Sequence, residues 1–132
     1  MQDPFSDAPV SRLVGFRVLP ASEEDRAAGK ATVLLDTDER LHNPMGRVHG
    51  GMIAALADAA MGIAFGRTLD AGQDFSTIDL HIHFMRPVRS NQLTASASLI
   101  QRGLRVGFVE CMITDDRGRE IARASCSCTS IS

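Results

Sequence analysis

Asp58 is the residue whose type and position most strongly suggest chemistry. Every other residue from Met52 to Phe65 is Met, Ile, Ala, Leu, Gly or Phe. A carboxylate in such a segment costs free energy unless another group pairs with it or a reaction uses it. Asp58 is therefore the first candidate for a functional residue. The alternative is a structural acid bonded to a backbone amide or to an arginine.

Two glycines stand at the start of the same segment. Ala, Leu and Met favour helix, so the composition predicts a helix from Gly50 or Gly51 to about Gly66. Unpaired N–H groups at a helix N-terminus can stabilise negative charge on an oxygen, and glycine lets a ligand approach the backbone closely. Apolar residues occupy all sides of the predicted helix, which indicates that the helix is enclosed.

The elements that must position this helix are strands. Four strand-like stretches follow the helix with short connections, and such strands form antiparallel meanders. The last stretch has small side chains on its inner face, which suits a sheet that bends closely around something thick. The predicted fold class is α+β, with a curved antiparallel sheet wrapped around one long central helix. Strands are predicted at 13–19, 30–35, 77–85, 91–101, 106–114 and 120–129, a charged turn at 23–29 and a hairpin turn at 115–118.

The first strand after the helix alternates between apolar and polar residues, which predicts that the two sets lie on opposite faces. The apolar set is Ile78, Leu80, Ile82 and Phe84, and the polar set is Thr77, Asp79, His81 and His83.

Composition limits the class of protein. A chain of 132 residues with 44% hydrophobic and 23% charged residues fits one domain, predicted over 1–132 with residues 1–11 loosely ordered. A net charge of −2 without a block of like charge argues against a dedicated nucleic-acid or membrane binder. The apolar helix is shorter than the ~20 residues that span a bilayer, and no secretory signal is visible. Three cysteines without framework spacing predict reduced thiols and a cytoplasmic protein.

The residues around Asp58 resemble a known family. The segment from Asn43 to Gly51, NPMGRVHGG, followed by Asp58 within AALADAAMG, is similar to the hotdog-fold acyl-CoA thioesterases. It most resembles the phenylacetate-pathway (PaaI-like) branch and the related 4-hydroxybenzoyl-CoA thioesterases. An asparagine, His-Gly-Gly and an acid nine residues after the histidine form a fairly specific combination. A lone His-Gly-Gly would be a weak signal.

The resemblance implies a role for each of five residues. Asp58 would act as nucleophile or general base, and the backbone N–H of Gly50 would polarise the thioester carbonyl. Asn43 and His49 would help to place the thioester or the water, and Thr77 would support the water. The resemblance also implies a homodimer or a dimer of dimers with active sites between subunits. Coenzyme A is expected only as part of the substrate, with no metal and no bound cofactor.

The spacing within the helix bears on how such a site is assembled. Gly50 and Asp58 are eight residues apart, which is roughly 12 Å along a helix. A carbonyl that touches the Gly50 amide is therefore beyond reach of Asp58 on the same helix. If both groups act on one thioester, a second subunit supplies one of them. This predicts an obligate two-fold dimer with two equivalent sites.

Several candidates have a plain structural alternative. His49 could simply hold the loop backbone, Asn43 could be only a turn residue, and Thr77 could be an ordinary strand threonine. Gly51, Met52 and Met61 are expected to contact the substrate, although core filling is the alternative for the two methionines.

Two further clusters carry weak signals. Asp79, His81 and His83 could suggest a metal site, but no further ligand has clear spacing, so a polar interface or solvated face is favoured. A set of arginines could meet the phosphates of coenzyme A, or could be ordinary surface residues. This set is Arg86, Arg89, Arg102 and Arg105.

The predicted function is hydrolysis of an acyl- or aryl-acyl-CoA thioester to the free acid and coenzyme A. The first alternative is a hotdog hydratase or dehydratase that acts on enoyl or hydroxyacyl thioesters. The second is a non-catalytic acyl-CoA-binding module. An acid inside the helix that follows His-Gly-Gly favours hydrolysis, and the acyl group is not readable from the sequence.

Overall fold

A curved antiparallel sheet of six strands holds one long helix. The computed structural model describes residues 5, 7–89 and 91–131. The elements are α1 Pro9–Val14, β1 Phe16–Val18, α2 Glu23–Ala27, β2 Lys30–Asp36, a 3-10 turn Glu39–Leu41, α3 Gly50–Gly66, β3 Asp74–Phe84, β4 Gln92–Arg102, β5 Val106–Thr114 and β6 Glu120–Ile131. The strand order is β1-β2-β4-β5-β6-β3, and helix α3 packs against each of β2 to β6.

The hydrophobic core lies between α3 and the inner face of the sheet. Leu56, Met61 and Phe65 on the helix are fully buried. The small side chains of β6 face them, as predicted, and so do the alternate apolar residues of β4. The predicted hotdog architecture and the bounds of α3 are therefore confirmed. None of the helices in the described part of the chain is long and apolar enough to cross a bilayer.

The N-terminal elements differ from the prediction. Pro9–Val14 is a helix, so the strand predicted over 13–19 is reduced to Phe16–Val18. Proline is favourable in the first turn of α1, and Gly15 ends the helix with a φ of 103°. Of the residues predicted as loosely ordered over 1–11, Pro9 to Ser11 belong to α1, and residues 1–4 and 6 lie outside the described residues.

The charged stretch predicted as a turn over 23–29 is instead the short helix α2. Ser22 caps it, since its hydroxyl oxygen accepts a hydrogen bond from the N–H of Asp25 at 3.1 Å.

Helix α3 is not enclosed on all sides within one chain, contrary to the prediction. Gly51 and Asp58 are exposed, and Ala54 and Ala55 are only half-buried. Their spacing puts all four on one face of the helix. The sheet curls around the other faces, but β3 is its last strand, and the open face lies beyond that edge. We call these four residues the open stripe of α3.

Candidate active site

A tight loop returns the chain to the start of α3. The N–H of Asn43 donates to the Arg47 carbonyl at 2.7 Å, and the N–H of Gly46 donates to the Asn43 carbonyl at 3.1 Å. Gly46 takes a φ of 76°, which glycine adopts without steric cost. A bridge between His42 and Val48 closes the loop. The loop therefore fixes the direction in which the chain enters the helix.

The side chain of Asn43 is part of this loop. Its Oδ1 accepts hydrogen bonds from the N–H groups of Met45 at 3.0 Å and Arg47 at 3.2 Å. The turn role considered for Asn43 is thus present. Its Nδ2 group donates to no acceptor among the described residues, so it is available to a ligand.

His49 caps helix α3. Its Nδ1 accepts a hydrogen bond from the N–H of Gly51 at 2.8 Å. Because Nδ1 is the acceptor, the proton of the neutral ring lies on Nε2. The structural role considered for His49 is therefore present, and its part in placing the thioester stays a prediction.

Gly50 presents the backbone donor that the proposed chemistry requires. The first N–H groups of a helix have no acceptor within the helix. His49 satisfies the N–H of Gly51, but the N–H of Gly50 donates to no acceptor in the part of the chain that the structure describes. This amide can therefore bind an oxygen of a ligand.

The Gly50 amide lies at a cavity of about 290 Å³. A Cβ atom at position 50 would lie 3.3 Å from Cζ of Phe84, so a side chain there would crowd the phenyl ring. Glycine thus keeps access to the amide open. We call this space the Gly50 cavity. Its lining residues are Asn43, Arg47, Val48, Gly50, Ile53, Phe84, Met85, Arg86, Pro87 and Val88.

Asp58 lies on the open stripe rather than in a buried pocket. Its Oδ1 accepts a hydrogen bond from the Thr77 hydroxyl at 3.4 Å. Within the described residues no ion pair and no backbone amide holds this carboxylate. The alternative of a structural acid locked by an arginine or a backbone amide therefore has no support in the geometry.

A β-bulge aims Thr77 at Asp58. Thr77 lies opposite Cys128 and Asp79 lies opposite Ser127, which leaves Ile78 as the extra residue in β3. Cys128 is fully buried on the inner face, and directly opposed residues share a face, so Thr77 also points inward. The prediction that Thr77 shares a face with Asp79 is wrong, because the bulge shifts the alternation by one residue.

The other three residues of the predicted polar set, Asp79, His81 and His83, lie on the outer face. Oδ1 of Asp79 accepts a hydrogen bond from the N–H of Ser127 at 2.8 Å, which replaces a ladder bond at the bulge. Nε2 of His81 is 3.7 Å from the Asp79 carboxylate, and His83 lies opposite Arg123. Among the described residues, no group of three or more His, Cys, Asp or Glu side chains could hold a metal ion.

The predicted substrate contacts lie in different environments. Gly51 is exposed and Met52 is half-buried beside the open stripe. Met61 is fully buried in the core. Contact of these three residues with substrate stays a prediction.

The site residues form two separate groups in one protomer. Asn43 and Gly50 line the cavity at the start of α3, whereas Asp58 and Thr77 face each other two turns further along. Asp58 is not among the residues that line the Gly50 cavity. The eight-residue spacing corresponds to roughly 12 Å along the helix. One chain therefore contains an oxygen-binding amide and a carboxylate that do not share a cavity.

Sequence reasoning missed two features of this site. The bulge at Ile78 depends on pairing with β6, and no local pattern in the sequence signals it. Arg47, which lines the Gly50 cavity, stands inside the motif but was not considered as a ligand-binding residue. Its position between a glycine turn and the helix cap was the available signal.

Comparison with known proteins identifies a family. Residues 45–122, more than half of the chain, match the family described as the thioesterase superfamily. A 1,4-dihydroxy-2-naphthoyl-CoA hydrolase of Listeria monocytogenes is 26% identical over 99 residues, which are 75% of this chain and 80% of that protein. The proofreading thioesterase EntH of Klebsiella pneumoniae is 29% identical over 101 residues, 76% of this chain and 71% of that protein.

A solved structure shows the same fold. The E. coli PaaI protein from the phenylacetic acid degradation operon superposes with a TM-score of 0.85 at 21% identity, covering 97% of this chain and 88% of that chain. The matches to curated relatives span between half and four fifths of those proteins' own lengths.

Proposed function

The chain belongs to the thioesterase superfamily, and we propose that it hydrolyses an acyl- or aryl-acyl-CoA thioester to the free acid and coenzyme A. The observation that carries the proposal is the unsatisfied N–H of Gly50 at the mouth of a cavity. Such a donor is suited to a carbonyl oxygen that gains negative charge during acyl transfer.

The reaction needs two contributions from the protein. The Gly50 N–H and the helix dipole stabilise the oxyanion that forms when the thioester carbonyl is attacked. Asp58 either attacks the carbonyl carbon itself or takes a proton from the attacking water. If Asp58 attacks, the C–S bond breaks as an acyl–Asp58 anhydride forms; water then cleaves the anhydride to the free acid and the Asp58 carboxylate, and the proton released by that water passes to the coenzyme A thiolate. If water attacks, the C–S bond of the tetrahedral adduct breaks, and the proton that Asp58 took from the water passes to the thiolate. Thr77 donates to Asp58 and so holds the carboxylate in place. These steps use no metal and no bound cofactor.

A two-fold dimer is part of the proposal, because the two groups are too far apart in one chain. β3 is an edge strand of eleven residues with exposed apolar side chains, among them Ile78 at 57% and Phe84 at 52%. A long apolar edge of this kind invites pairing with another strand. Antiparallel pairing of two β3 edges would cover both open stripes and bring Asp58 of each subunit towards Gly50 of the other.

The hydratase alternative is less well supported. That chemistry would use an acid and a histidine together, but Asp58 bonds Thr77 and the Nδ1 of His49 is engaged by Gly51. The binding-module alternative differs only in turnover, so it is an outcome of the test below.

The test is thiol release from short, medium, long and aromatic acyl-CoA substrates. We expect the unmodified protein to release thiol and Asp58→Asn to lose at least about 100-fold in kcat, since positioned acid–base groups contribute 10²–10⁴. Asp70→Asn, an exposed aspartate in the turn after α3, is the matched control and should keep full activity.

Full activity in Asp58→Asn would contradict the proposed role. Hydration of an enoyl-CoA without thiol release would support the hydratase alternative. Tight binding of acyl-CoA without turnover would support the binding module.

A further inference from the structure

A second cavity adjoins the Gly50 cavity and is rich in arginine. It has a volume of about 310 Å³ and shares Arg47, Pro87 and Val88 with the Gly50 cavity. The two spaces are therefore neighbours on one wall. We call the second space the arginine cavity. Its lining residues are Arg47, Pro87, Val88, Arg89, Asn91, Asp115 and Arg119.

The charges in this cavity are not balanced. Nε of Arg119 donates to Oδ2 of Asp115 at 2.8 Å, and this pair is neutral as a unit. The guanidinium groups of Arg47 and Arg89 donate to no acceptor among the described residues. Two cationic groups thus remain without an anion, in a chain whose net charge is −2. The planar donor fork of arginine matches phosphate oxygens.

Arg47 and Arg89 are held close together by contacts between the loop that leads into α3 and the segment after β3. The N–H of Val48 donates to the Val88 carbonyl at 2.7 Å, and Nε2 of His42 bonds the Arg89 carbonyl. These contacts tie the segment after β3 to the loop that ends at Gly50. The Gly50 amide and the arginine cavity are therefore held at fixed positions relative to each other, on either side of the shared residues Arg47, Pro87 and Val88.

We propose that the arginine cavity binds a phosphate group of the coenzyme A nucleotide, through Arg47 and Arg89. The inference rests on the proposed function. It adds the site by which the protein would distinguish a coenzyme A thioester from a thioester without phosphate, such as an acyl-pantetheine. The thioester lies at Gly50, and the pantetheine arm runs from the Gly50 cavity past the shared wall.

Two of the other candidate arginines, Arg102 and Arg105, do not fit this role as well. Arg102 lies over the Phe65 ring at 4.7 Å and donates to the Thr68 hydroxyl at 2.8 Å, so it closes the core. Arg105 lines a separate cavity with Gln73, Leu104, Ser130 and Ile131, and it is the one cation among the described residues of that lining. Arg105→Gln is therefore a matched control at the other end of the sheet.

The experiment compares two substrates with the same acyl group, an acyl-CoA and the corresponding acyl-pantetheine. For Arg47→Gln and Arg89→Gln, we expect the ratio of kcat/KM for acyl-CoA to kcat/KM for acyl-pantetheine to fall about tenfold each, mainly through KM. Arg105→Gln should leave this ratio unchanged. In the double variant that carries both Arg47→Gln and Arg89→Gln, added salt should raise the KM for acyl-CoA less than in the unmodified protein. Salt screens the contacts between arginine and phosphate, and the double variant has lost them.

Three results would overturn the assignment. These are an unchanged ratio in both variants, an equal loss with both substrates, and a fall in the ratio for Arg105→Gln alone. Calorimetric titration with coenzyme A separates this inference from the proposed function. If no thioester is hydrolysed, weaker coenzyme A binding in the double variant than in Arg105→Gln still supports the site, and equal binding overturns it.

Discussion

At the scale of single residues, the contact between Thr77 and Asp58 joins a strand to the helix. The hydroxyl donates to the carboxylate at 3.4 Å and lies 3.8 Å from Sγ of Cys128. Thr77 is therefore held between the buried thiol and the acid. We expect it to orient Asp58 rather than to react.

Thr77→Val tests this positioning role, since valine keeps the shape and removes the hydroxyl. We expect kcat for thioester hydrolysis to fall about tenfold with little change in KM, the effect of one lost hydrogen bond of about 1–1.5 kcal/mol. Thr77→Ser should recover most of the rate. If steady-state kinetics show that Thr77→Val is fully active, Thr77 does not position Asp58.

The sequence alone allowed prediction of some of these residues. Asp58 and Gly50 were found because a single acid in an apolar helix and a pair of glycines before it are local features. The inward direction of Thr77 could not be found, because it depends on a bulge that forms only when β3 pairs with β6. The availability of the Gly50 amide depends on which N–H the His49 ring engages, and this is also a matter of three-dimensional geometry.

At the scale of elements, close packing of α3 on the sheet depends on small residues. Gly107 on β5 is buried, and a Cβ atom there would lie 2.6 Å from Cε1 of Phe65 and 3.0 Å from Cδ1 of Leu99. A methyl group at this position has no room unless the helix moves away. Strands β2 to β6 and helix α3 were predictable from local sequence patterns, but this close approach was not, because it joins residues far apart in the chain.

Gly107→Ala should therefore destabilise the protein. We expect a loss of about 1–3 kcal/mol in the free energy of unfolding, the usual cost of overpacking. Ser96→Ala, on the outer face of β4, is the control and should stay within about 0.5 kcal/mol. Urea denaturation measures both. Equal stability of Gly107→Ala and the unmodified protein would show that the packing is looser than described.

The β5–β6 hairpin depends on one carboxylate. Oδ1 of Asp115 accepts hydrogen bonds from the N–H groups of Arg117 and Arg119, each at 2.9 Å. Burial raises the pKa of Asp115, but the hydrogen bonds from Arg119 and Arg117 outweigh it and hold the pKa below the usual 3.8. Asp115 therefore contributes stability above pH 3.8, which is lost as the pH falls through the lower pKa of the folded state.

Asp115→Asn should lower the melting temperature at pH 7, because the amide loses the ionic contact with Arg119. The difference between the variant and the unmodified protein should narrow as the pH falls below 3.8. Thermal denaturation at pH 7, 5 and 3 provides the measurement. A difference that stays constant over this range would mean that ionised Asp115 does not stabilise the fold.

At the scale of the whole molecule, the single chain is an incomplete catalyst in this account. The Gly50 amide faces a cavity at the start of α3, and Asp58 stands on the open stripe beside an unpaired apolar edge. The overall architecture could be predicted because its strands follow each other with short connections. The open stripe could not, since an apolar helix gives no indication of which face is left for another subunit.

The most direct test of this account mixes two differently disabled subunits. Gly50→Pro removes the N–H at the first helical position, where proline is tolerated, and His49 already has a ψ of 131°, which suits a residue before proline. The proline Cβ would lie 3.3 Å from Cζ of Phe84, and this exposed side chain can shift to make room. Asp58→Asn removes the acid. Each variant alone should be inactive, although both should fold with the circular dichroism spectrum of the unmodified protein.

A mixed dimer purified through two different affinity tags would contain one intact site, with Gly50 from one subunit and Asp58 from the other. We expect it to have about half of the activity of the unmodified dimer, because one of two equivalent sites is restored. If the purified mixed dimer is as inactive as its parents, Gly50 and Asp58 do not act on one thioester across a subunit interface.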